Sequence, residues 1–119
     1  MSRVLFIDDE IPIRETLSMY FNLKGIEVTS AATGTEARQL AEANIYDLVI
    51  LDIHLGEEDG LALLDFFRQK DPKRPVIMFS SSGDDPEVIE QALAKGAAAC
   101  MSKTDSLDNL LKAVQRAIQ

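Results

Sequence analysis

Short apolar runs alternate with segments of helical period along the whole chain, and two of the runs end abruptly in aspartate. Val4-Leu5-Phe6-Ile7 runs into Asp8-Asp9-Glu10, and Leu48-Val49-Ile50-Leu51 runs into Asp52. Runs this short, rich in Val, Ile and Leu and bounded by polar residues, predict strands buried on both faces of a parallel sheet. Between them Pro12 opens a helix with Ile13, Leu17 and Phe21 on one face, and Lys24-Gly25 closes it. Residues 26–31 form the second predicted strand. Thr33-Gly34-Thr35-Glu36 has the form of a capping box, with Ala37, Leu40 and Ala41 on the inner face of the helix it starts. After the third strand, Leu48 to Asp52, a polar loop around Gly56 to Gly60 precedes a helix marked by Leu61, Leu64 and Phe67. Asp71-Pro72 ends that helix, and residues 75–80 form a fourth strand. Asp85-Pro86 caps and opens a helix carrying Val88, Ala92 and Leu93, with Gly96 as its stop. Residues 97–102 form a fifth strand, and Ser106 caps a last helix that turns Leu107, Leu110, Leu111, Val114 and Ile118 inward.

Five strand–helix units predict an α/β doubly wound sheet with helices on both sides, and the flavodoxin-like strand order 2-1-3-4-5 is the natural candidate. That order makes the first and third strands neighbours. Their terminal carboxylates, Asp8, Asp9 and Asp52, then share the crevice beyond the carboxyl ends of the strands, where such sheets bind ligands. Like charges about 4 Å apart repel by roughly 4 kcal/mol at an effective dielectric near 20, so the cluster calls for a cation or a proton. The fourth strand delivers Ser80 to the same edge and the fifth delivers Ser102-Lys103. Mg²⁺ takes oxygen ligands and keeps several waters, which suits two or three carboxylates of this kind. A lysine and a hydroxyl opposite the metal can bind the oxygens of a phosphoryl group, and an aspartate aimed at phosphorus is an available nucleophile.

Composition narrows the picture. A chain of 119 residues fits one domain spanning 1–119, with no room for a second folded unit. The net charge of −8 argues against direct binding of nucleic acid or an anionic membrane surface. Cys100 is the only cysteine, so no intrachain disulfide can form, and a reducing compartment is expected. No apolar run approaches membrane-spanning length. The expectation is a soluble, cytoplasmic protein.

Four segments in order carry a family resemblance: Ile7-Asp8-Asp9-Glu10; Leu51-Asp52 with Gly60 eight residues on; Pro75-Val76-Ile77-Met78-Phe79-Ser80-Ser81; and Lys95-Gly96-Ala97-Ala98 leading to Ser102-Lys103. Over essentially its whole length the chain resembles a receiver domain of bacterial two-component response regulators, the family of CheY. The resemblance implies that Asp52 accepts a phosphoryl group from a sensor histidine kinase or phosphotransfer protein. It implies that Asp9, Asp52 and the His54 backbone carbonyl ligate Mg²⁺ while Asp8 acts mostly through water. Ser80 is then the switch hydroxyl, and Lys103 the cation that senses the phosphoryl group. The only catalysis implied is of the protein's own phosphorylation and dephosphorylation. Output would go to a partner or output domain through the face of the fourth helix, fifth strand and fifth helix, with a phosphorylation-dependent homodimer as a further option. His54 and Ser82 occupy positions where side chains tune dephosphorylation.

Three positions depart from the family pattern. Cys100 stands where an aromatic residue usually reports the switch, Thr104 replaces a proline that follows the lysine in a cis peptide, and Gly56 replaces a proline and should loosen the loop after Asp52. Taken singly, each site residue has a bland reading: an acidic triplet can simply complement a helix dipole, His54 can be an exposed loop residue, and Cys100 a small core residue. The departures leave open an alternative, a receiver used as a phospho-independent docking module. A flavin carrier on the same fold is disfavoured because Asp8-Asp9-Glu10 would repel the flavin phosphate. A hydrolase of the Asp-x-Asp type is disfavoured because Asp52-Ile53-His54 lacks the second aspartate.

Overall fold

A computed structural model describes residues 2–56, 58–81 and 85–118. Its five long strands are β1 (Arg3–Ile7), β2 (Glu27–Ala31), β3 (Leu48–Asp52), β4 (Val76–Ser80) and β5 (Ala99–Ser102). They form one parallel sheet in the order 2-1-3-4-5, the flavodoxin-like arrangement anticipated from the alternation of elements. The helices are α1 (Ile11–Leu23), α2 (Gly34–Ala43), α3 (Gly60–Lys70), α4 (Pro86–Ala94) and α5 (Leu107–Ile118).

The period of two along each strand sorts the core into two layers. Val4, Phe6, Leu48, Ile50, Ile77 and Phe79 pack on one side against Leu17 and Phe21 of α1 and Leu110, Leu111 and Val114 of α5. Leu5, Ile7, Val49, Leu51, Val76 and Met78 pack on the other against Ala37 and Ala41 of α2, Leu63, Leu64 and Phe67 of α3, and Ala92 of α4. The middle strand β3 is buried at all five positions, Asp52 included. A strand covered on both faces has no solvated side on which to put polar groups, so its single carboxylate stands out as a feature that packing alone would not select.

Helix starts follow their sequence signals. The Thr33 hydroxyl accepts from the Glu36 N–H at 3.1 Å, Asp85 Oδ1 from the Glu87 N–H at 2.9 Å, and the Ser106 hydroxyl from the Asn109 N–H at 3.1 Å. β4 begins one residue later than predicted, at Val76, and two further strands begin later than the apolar pattern indicates for one shared reason. Gly25 and Gly96 take φ of +84° and +103°. The residue after each, Ile26 or Ala97, returns its N–H to the carbonyl of Phe21 or Ala92, at 2.9 and 3.0 Å. Ile26 and Ala97 are thus spent closing helices in the Schellman manner, and the strands start beyond them.

A second correction concerns the segment after β3. In place of a loosened loop, His54–Leu55 and Glu58–Asp59 pair as a short antiparallel hairpin, with Gly56 at φ +57° in its turn. Gly56 supplies the left-handed backbone that the turn requires, so the glycine here shapes the segment. Asp59 then caps α3 through the Leu61 N–H at 2.9 Å.

Gly60 closes the hairpin against the end of β3, donating its N–H to the Ile53 carbonyl at 3.0 Å. A Cβ on residue 60 would press on that same Ile53 oxygen and lie 2.6 Å from the Asp52 carbonyl oxygen. Both obstacles are backbone, so neither can swing aside. Gly60→Ala is therefore expected to cost about 1–3 kcal/mol in urea denaturation, the scale of overpacking in a dense core. An unchanged midpoint would show that the β3–α3 junction is slack.

Candidate phosphoryl and metal site at the carboxyl edge of the sheet

The ends of β1 and β3 place two carboxylates side by side. Register pairs Ile7 with Leu51, so the residues that follow, Asp8 and Asp52, leave the sheet together. Both are buried, whereas Asp9 and Glu10 are exposed. The backbone around each is tied down. Asp8 Oδ1 accepts the Glu10 N–H at 2.9 Å, its N–H reaches Ala31 of β2 at 3.0 Å, and its carbonyl accepts from Arg14 Nη1 at 2.6 Å. Asp52 Oδ1 accepts the His54 N–H at 3.1 Å, which ties the start of the hairpin to the carboxylate.

Lys103, just past β5, crosses the crevice to meet them. Its ammonium lies 2.8 Å from Asp52 Oδ2, 3.0 Å from Asp8 Oδ2 and 3.0 Å from Glu10 Oε2. The Lys103 backbone is fixed independently, its N–H donating to the Ser80 carbonyl at 2.7 Å. The ammonium also stands 5.9 Å from the centre of the Phe79 ring, within cation–π range. Burial by itself would lower the lysine's pKa, but its contacts with Asp52, Glu10 and Asp8 override that and hold it above the ordinary value. Burial acts in the opposite sense on the acids. It pushes both Asp8 and Asp52 above the usual carboxylate range, with Lys103 and the neighbouring backbone N–H groups only partly compensating.

Three carboxylates therefore share one ammonium, with Asp9 a fourth acid beside them, leaving the crevice short of positive charge. Asp8 Oδ2 is the most telling atom, fully buried and facing, at 3.0 Å, an ammonium that Asp52 and Glu10 also share. Asp8, Asp9 and Asp52 can each bring an oxygen to within 4.8 Å of the others'. An all-oxygen donor set of buried carboxylates with too little positive charge around it fits a hard divalent cation such as Mg²⁺.

The remaining residues singled out from the sequence fall around this centre. Ser80 is buried at the end of β4, one residue beyond Phe79, the register partner of Asp52. Its hydroxyl reaches the Met101 carbonyl at 3.4 Å, at the long limit of a hydrogen bond. His54 is exposed beside Asp52. Ser82 lies outside the described residues. Cys100 is half-buried in β5 with Sγ 4.0 Å from the Ile89 carbonyl of α4. In place of a Lys-Pro turn, the Ser102 and Thr104 hydroxyls pair at 2.7 Å, and the described residues contain no cis peptide. Glu10 is the residue that sequence reasoning passed over. It was legible only as the tail of an acidic triplet, and its contact with Lys103, 93 positions away, depends on the crossover of the chain.

A strand-edge crevice with paired aspartates, a bridging lysine and a hydroxyl on this sheet defines a class of signalling domain, and the comparisons with known proteins agree. The model of the response regulator receiver domain matches residues 4–115, and the chain belongs to that family. It is 35% identical over 119 residues to the regulatory protein AtoC of Escherichia coli, covering all of this chain and 26% of AtoC. The receiver domain of NtrX from Brucella abortus superposes with a TM-score of 0.90 at 32% identity, covering 97% of each chain. A CheY-like receiver domain protein from Methanospirillum hungatei gives 0.93 at 26% identity, over 99% of this chain and 94% of that one. The chain thus spans about a quarter of AtoC's length and nearly all of the stand-alone receiver structures. Among the described residues no helix is long and apolar enough to cross a membrane.

The excess of acid has a measurable consequence for the metal-free protein. Because the folded pKa values of Asp8 and Asp52 are raised, the stability these groups contribute is present at low pH and is lost as pH rises through those values. Asp52→Asn removes one buried charge and leaves Lys103 two carboxylate partners. It is expected to stabilise the metal-free protein at neutral pH by roughly 1 kcal/mol, within the range of single substitutions. The gain should shrink as pH falls through the raised pKa values. Urea midpoints across that range, with a chelator present, provide the check, and a variant less stable than wild type at neutral pH would contradict the charge count.

Proposed function

We propose that this protein is a phosphorylatable switch of a two-component system, with Asp52 as the phosphoacceptor. The observation that carries the reading is the position of Asp52: a buried carboxylate 2.8 Å from a lysine and beside two further aspartates able to share a cation. Asp8, Asp9 and Asp52, with the His54 backbone carbonyl, would hold Mg²⁺, which when bound supplies positive charge for the phosphoryl oxygens.

In this reading an Asp52 oxygen attacks phosphorus in line. The new O–P bond forms as the bond to the donor's histidine nitrogen breaks, and the freed imidazole takes up a proton. A loose phosphoryl-transfer transition state asks mainly for positioning and charge neutralisation. Asp52 is positioned by the His54 N–H and by the Gly60 junction, and Lys103 supplies fixed positive charge. Ser80 then turns its hydroxyl to a phosphoryl oxygen. Its present bond to the Met101 carbonyl, at 3.4 Å, is weak enough to be given up at little cost. Moving a 1:99 equilibrium to 99:1 needs about 5.5 kcal/mol of differential stabilisation. A doubly charged group with several charge-assisted hydrogen bonds is of the right size to supply much of it.

The partners in this reading are a sensor histidine kinase or phosphotransfer protein upstream and, downstream, an output domain or target on the α4–β5–α5 face. Phosphorylation-dependent pairing of two copies belongs to the same reading. His54 and Ser82 are, in this reading, the positions that tune dephosphorylation. The compartment is the cytoplasm, and catalysis is confined to the protein's own phosphoryl group. Cys100 favours a second reading, a docking module indifferent to phosphate, whose mark is partner binding that survives Asp52→Ala.

The test uses acetyl phosphate and Mg²⁺. Intact mass should rise by one phosphoryl group, and amide resonances around Ser80, Cys100 and Lys103 should move. Asp52→Asn should abolish both responses, and Lys103→Ala should retain phosphorylation yet lose most of the shift at Ser80. Absence of any mass increase or beryllofluoride response in wild type would refute the switch.

A further inference from the structure

We propose that Glu10 is the holding arm for Lys103 when a divalent cation takes Asp8 and Asp52, and so sets how tightly this crevice binds the cation. The proposal rests on the metal assignment above and adds a residue that the assignment does not use. The ammonium of Lys103 lies 3.0 Å from Asp8 Oδ2 and 2.8 Å from Asp52 Oδ2. Those two carboxylates are also the buried members of the set that can converge on a cation. A divalent ion and an ammonium on the same carboxylates repel each other with twice the strength of two unit charges at that distance. Cation binding and lysine binding are therefore competitive, and Lys103 has to give ground.

Where it can go is defined by what it already touches. Its backbone cannot follow, being bonded to Ser80, so the movement belongs to the four-carbon stem alone. The third partner is Glu10 Oε2 at 3.0 Å, on the solvent side of the crevice. Glu10 is suited to the task because its backbone is fixed while its carboxylate already holds the ammonium. Its N–H is held by Asp8 Oδ1 and its carbonyl accepts the Arg14 N–H. It occupies the N-cap of α1, yet its side chain makes no capping hydrogen bond. The side chain is 55% exposed, so it can lean outward with the ammonium at small desolvation cost. Glu10 acts through Lys103 and is a positioning residue.

A general loss of negative charge near the crevice would also weaken cation binding, so the test has to separate the two causes. Mg²⁺ affinity is measured by calorimetry on the unphosphorylated protein for wild type, Glu10→Gln, Glu10→Asp, Lys103→Met and the Glu10→Gln/Lys103→Met pair. Glu10→Gln should weaken binding at least about fivefold with Lys103 present, the lower end of ordinary coupling between sites. With Lys103→Met in place it should change binding by less than about twofold, the scatter of independent substitutions. Glu10→Asp keeps the charge but shortens the arm, and should weaken binding as well. This arm of the experiment needs no lysine variant, so it stands even if Lys103→Met does not fold. Equal weakening by Glu10→Gln in both backgrounds, or wild-type affinity in Glu10→Asp, would overturn the holding arm while leaving the metal site intact. Failure of wild type itself to bind Mg²⁺ would instead overturn the metal assignment, and the arm with it.

Discussion

The burial of Asp8 and Asp52 under a single lysine is the constraint on which the rest of this structure depends. Two carboxylates sit at the ends of strands that are apolar and covered apart from Arg3 at the start of β1. Water cannot solvate them there, and Lys103 reaches them only because β5 is placed next to β4 and the chain beyond it turns back across the sheet edge. The parallel register, the close approach of Gly60 and the hairpin after β3 all act to hold that edge in shape. A core of ordinary α/β design thus ends in a region of unresolved charge. The two layers below it are built almost entirely of aliphatic and aromatic side chains.

That combination suits a switch better than a rigid enzyme site. Charge that is unsatisfied in one state can be satisfied in another, and the energy released is available to move neighbouring groups. The groups placed to respond are lightly held. Ser80 has one long hydrogen bond, and the turn after β5 is closed by Ser102 and Thr104 hydroxyls with no proline to stiffen it. The Cys100 sulfur reaches the Ile89 carbonyl of α4 at a long 4.0 Å. In the proposed switch, a displacement at Ser80 would reach β5 through the Met101 carbonyl that its hydroxyl holds.

Much of this was legible in the sequence because the two periodicities are cleanly written. β1 and β3 appear as apolar runs ending in acid, and those runs lie inside the observed strands, Arg3 adding one residue to the start of β1. Ser80 and Lys103 could be assigned to the same edge once the strand order was chosen. What escaped were features that depend on backbone geometry or long-range contact. Ile26 and Ala97 look like strand residues in pattern but serve as helix closures, because the glycine before each turns left-handed. Gly56 reads as a loosening residue, whereas its positive φ is what permits a hairpin turn. The role of Glu10 depends on where a lysine at the far end of the chain arrives, and no local pattern encodes that.

Phe79 lies beneath all of this, its ring facing the Lys103 ammonium from 5.9 Å and packed edge-on against Phe6. An aromatic face under a long flexible cation acts as a floor: it attracts the charge weakly from any angle but cannot be penetrated. The lysine can therefore slide sideways from one carboxylate to another without sinking into the core, and its travel is confined to an arc over the sheet edge. A branched aliphatic at position 79 would keep the core filled but take away that even footing, and the lysine would settle on whichever acid was nearest.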